Sequence, residues 1–322
     1  MGYGGYSYEA HENISAKRTH TPRQQVFTQR ACHALMNPKG LRVRECRDSV
    51  DHPNSLGIVF ALDVTGSMGS IPELLARQEL PKFMKILEDC RVADPQILFM
   101  AVGDATCDKA PLQVGQFETT AELMDQWLTW SFIEGGGGGQ NTESYELALY
   151  WLAQHTDMDC WRKRQKRGYL FMTGDELPYP YVSRHQVEAI CGDKLDEDIP
   201  VAAAVAAVES TFEPFFLIPD LLERRERCEK PWRDLLGAHV LCMESAEDTC
   251  YVAAGVLALG ELQDLDAVAA LLTKAGASRA RVGSAVRALT PYAATLRKDA
   301  VGAPRTVKAS LPTGDKPGSW RR

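Results

Sequence analysis

Asp63, Thr65 and Ser67 stand at alternate positions directly after the apolar run Ile58-Val59-Phe60-Ala61-Leu62, with Gly66 between the two hydroxyl residues. One carboxylate and two neutral hydroxyls form an all-oxygen donor set. Such hard donors suit Mg²⁺, Mn²⁺ or Ca²⁺ rather than zinc or copper. The preceding run is β-branched, aromatic and aliphatic with no polar break, so it reads as a strand buried on both faces. Gly66 lets the backbone fold back. The three oxygens can then converge at the carboxyl end of a central strand, where open α/β sheets bind ligands. The same residues would also serve a plain strand-to-helix turn with Ser67 or Ser70 as its N-cap.

Residues of one turn cannot surround an ion, so a cation site needs further loops. The second candidate is Glu134 to Ser144, where five consecutive glycines, Gly135 to Gly139, precede Gln140-Asn141-Thr142. Glycines in that number allow close approach to a ligand or movement of the loop. A phosphate-cradling loop would require a lysine after them, and none is there. Thr142 is equally suited to cap the helix that follows. The third candidate is Thr173-Gly174-Asp175-Glu176, just past another apolar run. Asp104, with Asp108 close behind, ends a neighbouring strand and is a candidate to orient a ligand or a solvated turn acid.

Asp63-x-Thr65-x-Ser67 resembles the metal-ion-dependent adhesion site of von Willebrand factor A domains, whose pattern is Asp-x-Ser/Thr-x-Ser. In that family a glycine pair is followed by Thr-Asn-Thr, and the first Thr binds the metal. Here that position is Gln140, so the ligand passes to Thr142 or to an amide oxygen of Gln140 or Asn141. The family's Thr-Asp-Gly becomes Thr173-Gly174-Asp175, with glycine and aspartate exchanged, and Asp175 is preferred over Glu176 as the acid. The resemblance thus implies a site of Asp63, Thr65, Ser67, Thr142 and Asp175 holding Mg²⁺ (or Mn²⁺/Ca²⁺). An open coordination position would accept a Glu or Asp from a partner protein. Intracellular bacterial relatives suggest an AAA+ ATPase or a multi-protein assembly as that partner, and a cytoplasmic, non-enzymatic role.

The elements that must position these loops follow the order expected of a doubly wound α/β domain. Strands are predicted at 56–62, 96–102, 112–117, 169–173, 213–218 and 238–243. Helices are predicted from near Ser70, at 120–130, 143–154, 182–191 and 201–208, around 220–234 and at 246–262. Pro81 must kink the first helix or begin a second, because it removes a backbone donor. The expected fold is a mostly parallel six-stranded sheet with helices on both faces, and the short connection after Val102 suits an antiparallel edge strand. Residues 1–55 form an N-terminal extension with a short helix at 31–36 and an edge-like strand at 41–47, either packed or loosely attached. Residues 56–262 are the domain, 263–290 add one or two helices, and 291–322 form a basic, disordered tail.

Composition narrows the classes. The chain has 322 residues, 45% hydrophobic, with a formal charge of -7. That balance argues against a general nucleic-acid binder. No apolar run approaches a membrane-spanning length, and the first residues lack the pattern of a signal peptide. Nine cysteines without close spacing fit buried thiols in a reducing compartment. The alternative to a binding module is a Mg²⁺-dependent phosphatase of the haloacid-dehalogenase type, with Asp63 as nucleophile and Asp175 on the metal. That chemistry needs a general acid two residues after the first Asp, where this chain has Thr65.

Overall fold

The computed structural model describes residues 4–66, 68–135, 141–219 and 222–300, apart from the side chains of 222–224 and 297–300. Leu56–Asp63 forms strand β1, buried at every position. Pro95–Val102 forms β2, Leu112–Val114 β3, Gly168–Thr173 β4, Phe212–Ile218 β5 and Val240–Cys242 β6. Together they make a six-stranded sheet in the order β3-β2-β1-β4-β5-β6. All neighbours are parallel except β2 and β3. Residues 103–111 are too short for the crossover that a parallel neighbour requires, so β3 returns antiparallel at the edge.

The register aligns four phenylalanines. Phe99, Phe60, Phe171 and Phe215 are successive cross-strand partners on β2, β1, β4 and β5. Their ring centroids lie 5.5–5.9 Å apart, so one face of the sheet carries a continuous aromatic row. Phe83 meets Phe60 edge-on at 5.1 Å and Tyr292 meets Phe215 at 5.0 Å, which locks helices Leu80–Asp89 and Arg279–Ala300 to that row. Phe216 alternates to the opposite side. There Tyr145 packs at 5.3 Å and Trp232 at 3.8 Å. Truncating one of these buried rings would cost about 3–5 kcal/mol.

Pro81 begins a second helix. Ser70–Leu74 is helical, Leu75–Glu79 winds wider with the Leu80 N–H reaching Leu75 O, and Leu80–Asp89 resumes with Pro81 in its first turn. A proline lacks the donor that the regular pattern would need, and the wide turn absorbs the break.

The N-terminal extension is packed. Ser7 caps helix Tyr8–Arg18, which buries His11 and Ser15. Arg18 pairs with Asp125, and Arg77 donates to the carbonyls of Arg18 and Thr21. The helix predicted at 31–36 shrinks to a tight turn at Ala34–Met36. Arg44–Cys46 does not edge the main sheet; it pairs in parallel with Thr156–Met158 as a separate ribbon. Helix Val201–Glu209 buries only Ala204, Val205 and Val208, so the alanine-rich run is a half-covered helix.

Beyond the sheet, Leu265–Lys274 and Arg279–Ala300 are helical, so ordered backbone continues past the expected start of the tail; residues 301–322 lie outside the described residues. None of the nine cysteines, all of them among the described residues, is joined in a disulfide. Among the described residues no helix is long and apolar enough to cross a membrane.

Candidate metal centre

Strand order reverses between β1 and β4, and in open α/β sheets ligands bind at the carboxyl ends of strands at such a reversal. Asp63 ends β1, and Thr173, paired with Leu62, ends β4. Asp63 is wholly buried. Its Oδ1 accepts the Thr65 N–H at 2.8 Å and the Thr65 hydroxyl at 2.6 Å. Its Oδ2 accepts the Tyr145 hydroxyl at 2.6 Å. Burial pushes the carboxyl up to about 7; the Thr65 and Tyr145 hydrogen bonds oppose that rise, and the charge of Asp175 adds to it.

The second loop is stapled to the third by backbone pairing. Thr142–Glu143 runs parallel to Leu177–Pro178, and Leu177 N–H donates to Asn141 O at 3.2 Å. Ser144 ties the same loop to the end of β2, donating its N–H to Gly103 O and accepting the Ala105 N–H at 2.9 Å. Thr142 is left half-buried, whereas Glu143 is buried. Burial pushes Glu143 up to about 9, reinforced by the charges of Asp63, Asp104 and Asp108 and opposed by the Thr65 hydroxyl.

In the third loop, Glu176 pairs with Arg227 at 2.7 Å, while Asp175 is the acid whose charge acts on Asp63. Glycine at position 174 has a physical reason. A Cβ at position 174 would collide with the Tyr145 hydroxyl and come within 2.9 Å of Phe216. Only glycine lets Tyr145 cross the loop to reach Asp63. Asp104 is buried and accepts hydrogen bonds from Thr106 (2.8 Å) and Tyr179 (3.1 Å).

Of the residues singled out from sequence, Asp63 and Thr65 are therefore joined directly, and Asp175 faces them through its charge. Thr142 makes no hydrogen bond to either among the described residues. Ser67 and Gln140 lie outside the described residues. Glu143 and Tyr145 were missed: both sit where the pattern announced a helix start.

The donors are oxygen throughout, and two buried oxygens, Glu143 Oε2 and Thr173 Oγ1, have no hydrogen-bond partner among the described residues. That chemistry fits a hard divalent cation. Among the described residues no three His, Cys, Asp or Glu side chains are grouped to hold a metal by themselves, so hydroxyls would have to share the task.

No family model matches the chain, and no curated protein sequence matches it. Among solved structures, the chain is similar to the pilus adhesin SpaC of Lactobacillus rhamnosus GG in its open conformation, with 10% identity and a TM-score of 0.43 over 70% of this chain and 31% of the adhesin. A second structure of that adhesin gives 10% identity and a TM-score of 0.42, over 70% of this chain and 32% of that one. Proximal thread matrix protein 1 from the mussel byssus is 11% identical with a TM-score of 0.38, over 65% of this chain and 47% of the other. The chain thus spans about a third of the adhesin's length.

Proposed function

We propose that this chain is a doubly wound, von Willebrand A-like module that binds a divalent cation and uses it to engage an acidic side chain of a protein partner. The observation that carries this reading is the Asp63–Thr65 pair, buried at the reversal between β1 and β4 with Asp175 facing it. Asp63, Thr65, Ser67 and Asp175 would hold the ion, with Thr142 or a neighbour completing the set from the second loop. Mg²⁺ is favoured by abundance, with Mn²⁺ and Ca²⁺ as chemical equivalents. A bound ion would supply positive charge to which a partner's Glu or Asp is drawn. An AAA+ ATPase or a multi-protein assembly in the cytoplasm is the kind of partner this class implies.

The phosphatase alternative finds less support. Thr65 spends its proton on Asp63 and cannot act as an acid toward a leaving group.

Calorimetric titration with Mg²⁺ and Mn²⁺ tests the reading, together with a pull-down carried out with and without chelator. Binding by the wild type, its loss in Asp63→Ala with an unchanged circular dichroism spectrum, and release of a partner by chelator are expected. Equal affinity in Asp63→Ala would remove the site. Mg²⁺-dependent turnover of a phosphate ester, abolished in Asp63→Asn, would replace the reading with the phosphatase.

A further inference from the structure

Glu143 is the one acid of the second loop that the fold turns inward. Neighbours in a strand point to opposite sides, and the pairing of Thr142–Glu143 with Leu177–Pro178 uses that alternation. Thr142 stays half-buried, while Glu143 is 5% exposed. Its Oε2 has no hydrogen-bond partner among the described residues. The charges acting on it are those of Asp63, Asp104 and Asp108, all of its own sign, and the hydroxyl beside it, Thr65, is already given to Asp63. Thr173 Oγ1 is a second wholly buried oxygen without a partner among the described residues, at the end of β4. Buried carboxylates are ordinarily paired with a cation or bound to a metal, because an empty oxygen forfeits its hydration.

We propose that Glu143 is the second-loop ligand of the divalent cation, in the place that Thr142, Gln140 or Asn141 would otherwise fill. The proposal rests on the metal-site reading above and adds a carboxylate to it. Affinity for hard cations rises with the number of charged ligands. The chain therefore holds its ion without help from a partner, and the partner's acid adds to a site that is already loaded.

The test is Mn²⁺ titration of the full chain by calorimetry, paired with thermal melting in EDTA and in Mn²⁺, for the wild type, Glu143→Gln, Thr142→Val and Asp63→Ala. Losing an outer hydrogen-bond partner of a ligand costs about 10- to 100-fold in metal affinity. Glu143→Gln should lose more than that while melting in EDTA no lower than the wild type, and Thr142→Val should bind as the wild type does. Should the glutamine variant fail to fold, Glu143→Asp, which keeps the charge but withdraws the oxygen, should show the same loss. A smaller loss in the Glu143 variants, beside abolished binding in Asp63→Ala, overturns the role of Glu143 and leaves the metal site standing. A wild type that binds no Mn²⁺ overturns both.

Discussion

Two acid-rich regions of this molecule solve the same problem in opposite ways. Where the N-terminal ribbon meets the domain, Asp48 receives Arg164 at 2.8 Å, Lys163 at 3.1 Å and the Ser55 hydroxyl at 2.7 Å. Arg47 reaches Asp157 at 2.7 Å and Asp159 at 3.1 Å. The Arg164 guanidinium, with Ser55 and Lys163, holds the Asp48 carboxyl well below the usual carboxylate range. At the ends of β1 and β4, Asp63 and Glu143 have no ion pair among the described residues, and burial drives both carboxyls upward. One cluster carries its own cations in the sequence. The other pairs neither Asp63 nor Glu143 with a cation among the described residues, and its carboxyls are pushed toward the protonated form instead.

The largest expected effect breaks the geometry of the second cluster. Gly174→Ala puts a methyl where the Tyr145 hydroxyl and the Phe216 ring already stand. Overpacking of this kind should cost about 3 kcal/mol, the upper end of its usual range. Urea unfolding would measure it, and cation binding should fall along with stability. A neutral Gly174→Ala would mean that the loop can yield, and that glycine at 174 is not dictated by Tyr145.

Next in size, Asp48→Asn should destabilise the protein by about 2 kcal/mol, because it strips charge-assisted hydrogen bonds from Arg164 and Lys163 and leaves their donors without a carboxylate. Its pH dependence has a definite sign. A carboxyl whose folded value lies below the ordinary 3.8 stabilises the fold above that value and loses this contribution as pH falls through it. Acid unfolding of the wild type should therefore steepen below pH of about 4, and Asp48→Asn should flatten that limb. Parallel acid limbs in the two proteins would show that the anchor adds nothing to stability.

Sequence pattern conveyed the two clusters unequally, for physical reasons. Strands β1, β2, β4 and β5 are long apolar runs because parallel strands are covered on both sides, and an acid ending such a run is conspicuous. Asp63, Thr65 and Asp175 stood out for that cause. Glu143 did not, since the pairing that turns it inward spans two residues, below the length at which any periodicity registers. Tyr145 looked like an ordinary helical residue, and its reach to Asp63 depends on a glycine from another loop. The ribbon at Arg44–Cys46 and Thr156–Met158 pairs only three residues on each side, too few for hydrophobic patterning to announce its partner. Helix Tyr8–Arg18 was hidden likewise, burying a histidine and a serine where a pattern reader looks for leucines.

The opposite sign is expected when an acid of the second cluster is neutralised. Glu143→Gln replaces a buried carboxyl, which burial and three neighbouring acids push up to about 9 and so keep protonated at neutral pH, with a neutral amide of equal shape, so no attraction is lost and the repulsion that remains at higher pH is relieved. In EDTA the variant should melt at or above the wild type, whereas Asp48→Asn melts below it under the same conditions. If both variants fall together, the two clusters are electrostatically alike and the contrast between them fails.

The smallest effect sharpens the contrast at a single hydroxyl. Tyr145 gives its proton to Asp63 Oδ2, the oxygen that Thr65 leaves open. With no cation present that bond satisfies a buried acceptor, and Tyr145→Phe should lower stability by about 1 kcal/mol, the usual net worth of one hydrogen bond. With a cation present the same hydroxyl competes for the oxygen, so its removal should raise Mn²⁺ affinity. Melting in EDTA and calorimetric titration read the two effects separately, and they should move in opposite directions. A fall in both would recast Tyr145 as a positioning residue that aims Asp63 at the ion, as outer hydrogen-bond partners do in metal sites. In that case Tyr145→Phe would weaken binding about 10- to 100-fold, and Gly174 would serve the site only by admitting the tyrosine that aims Asp63.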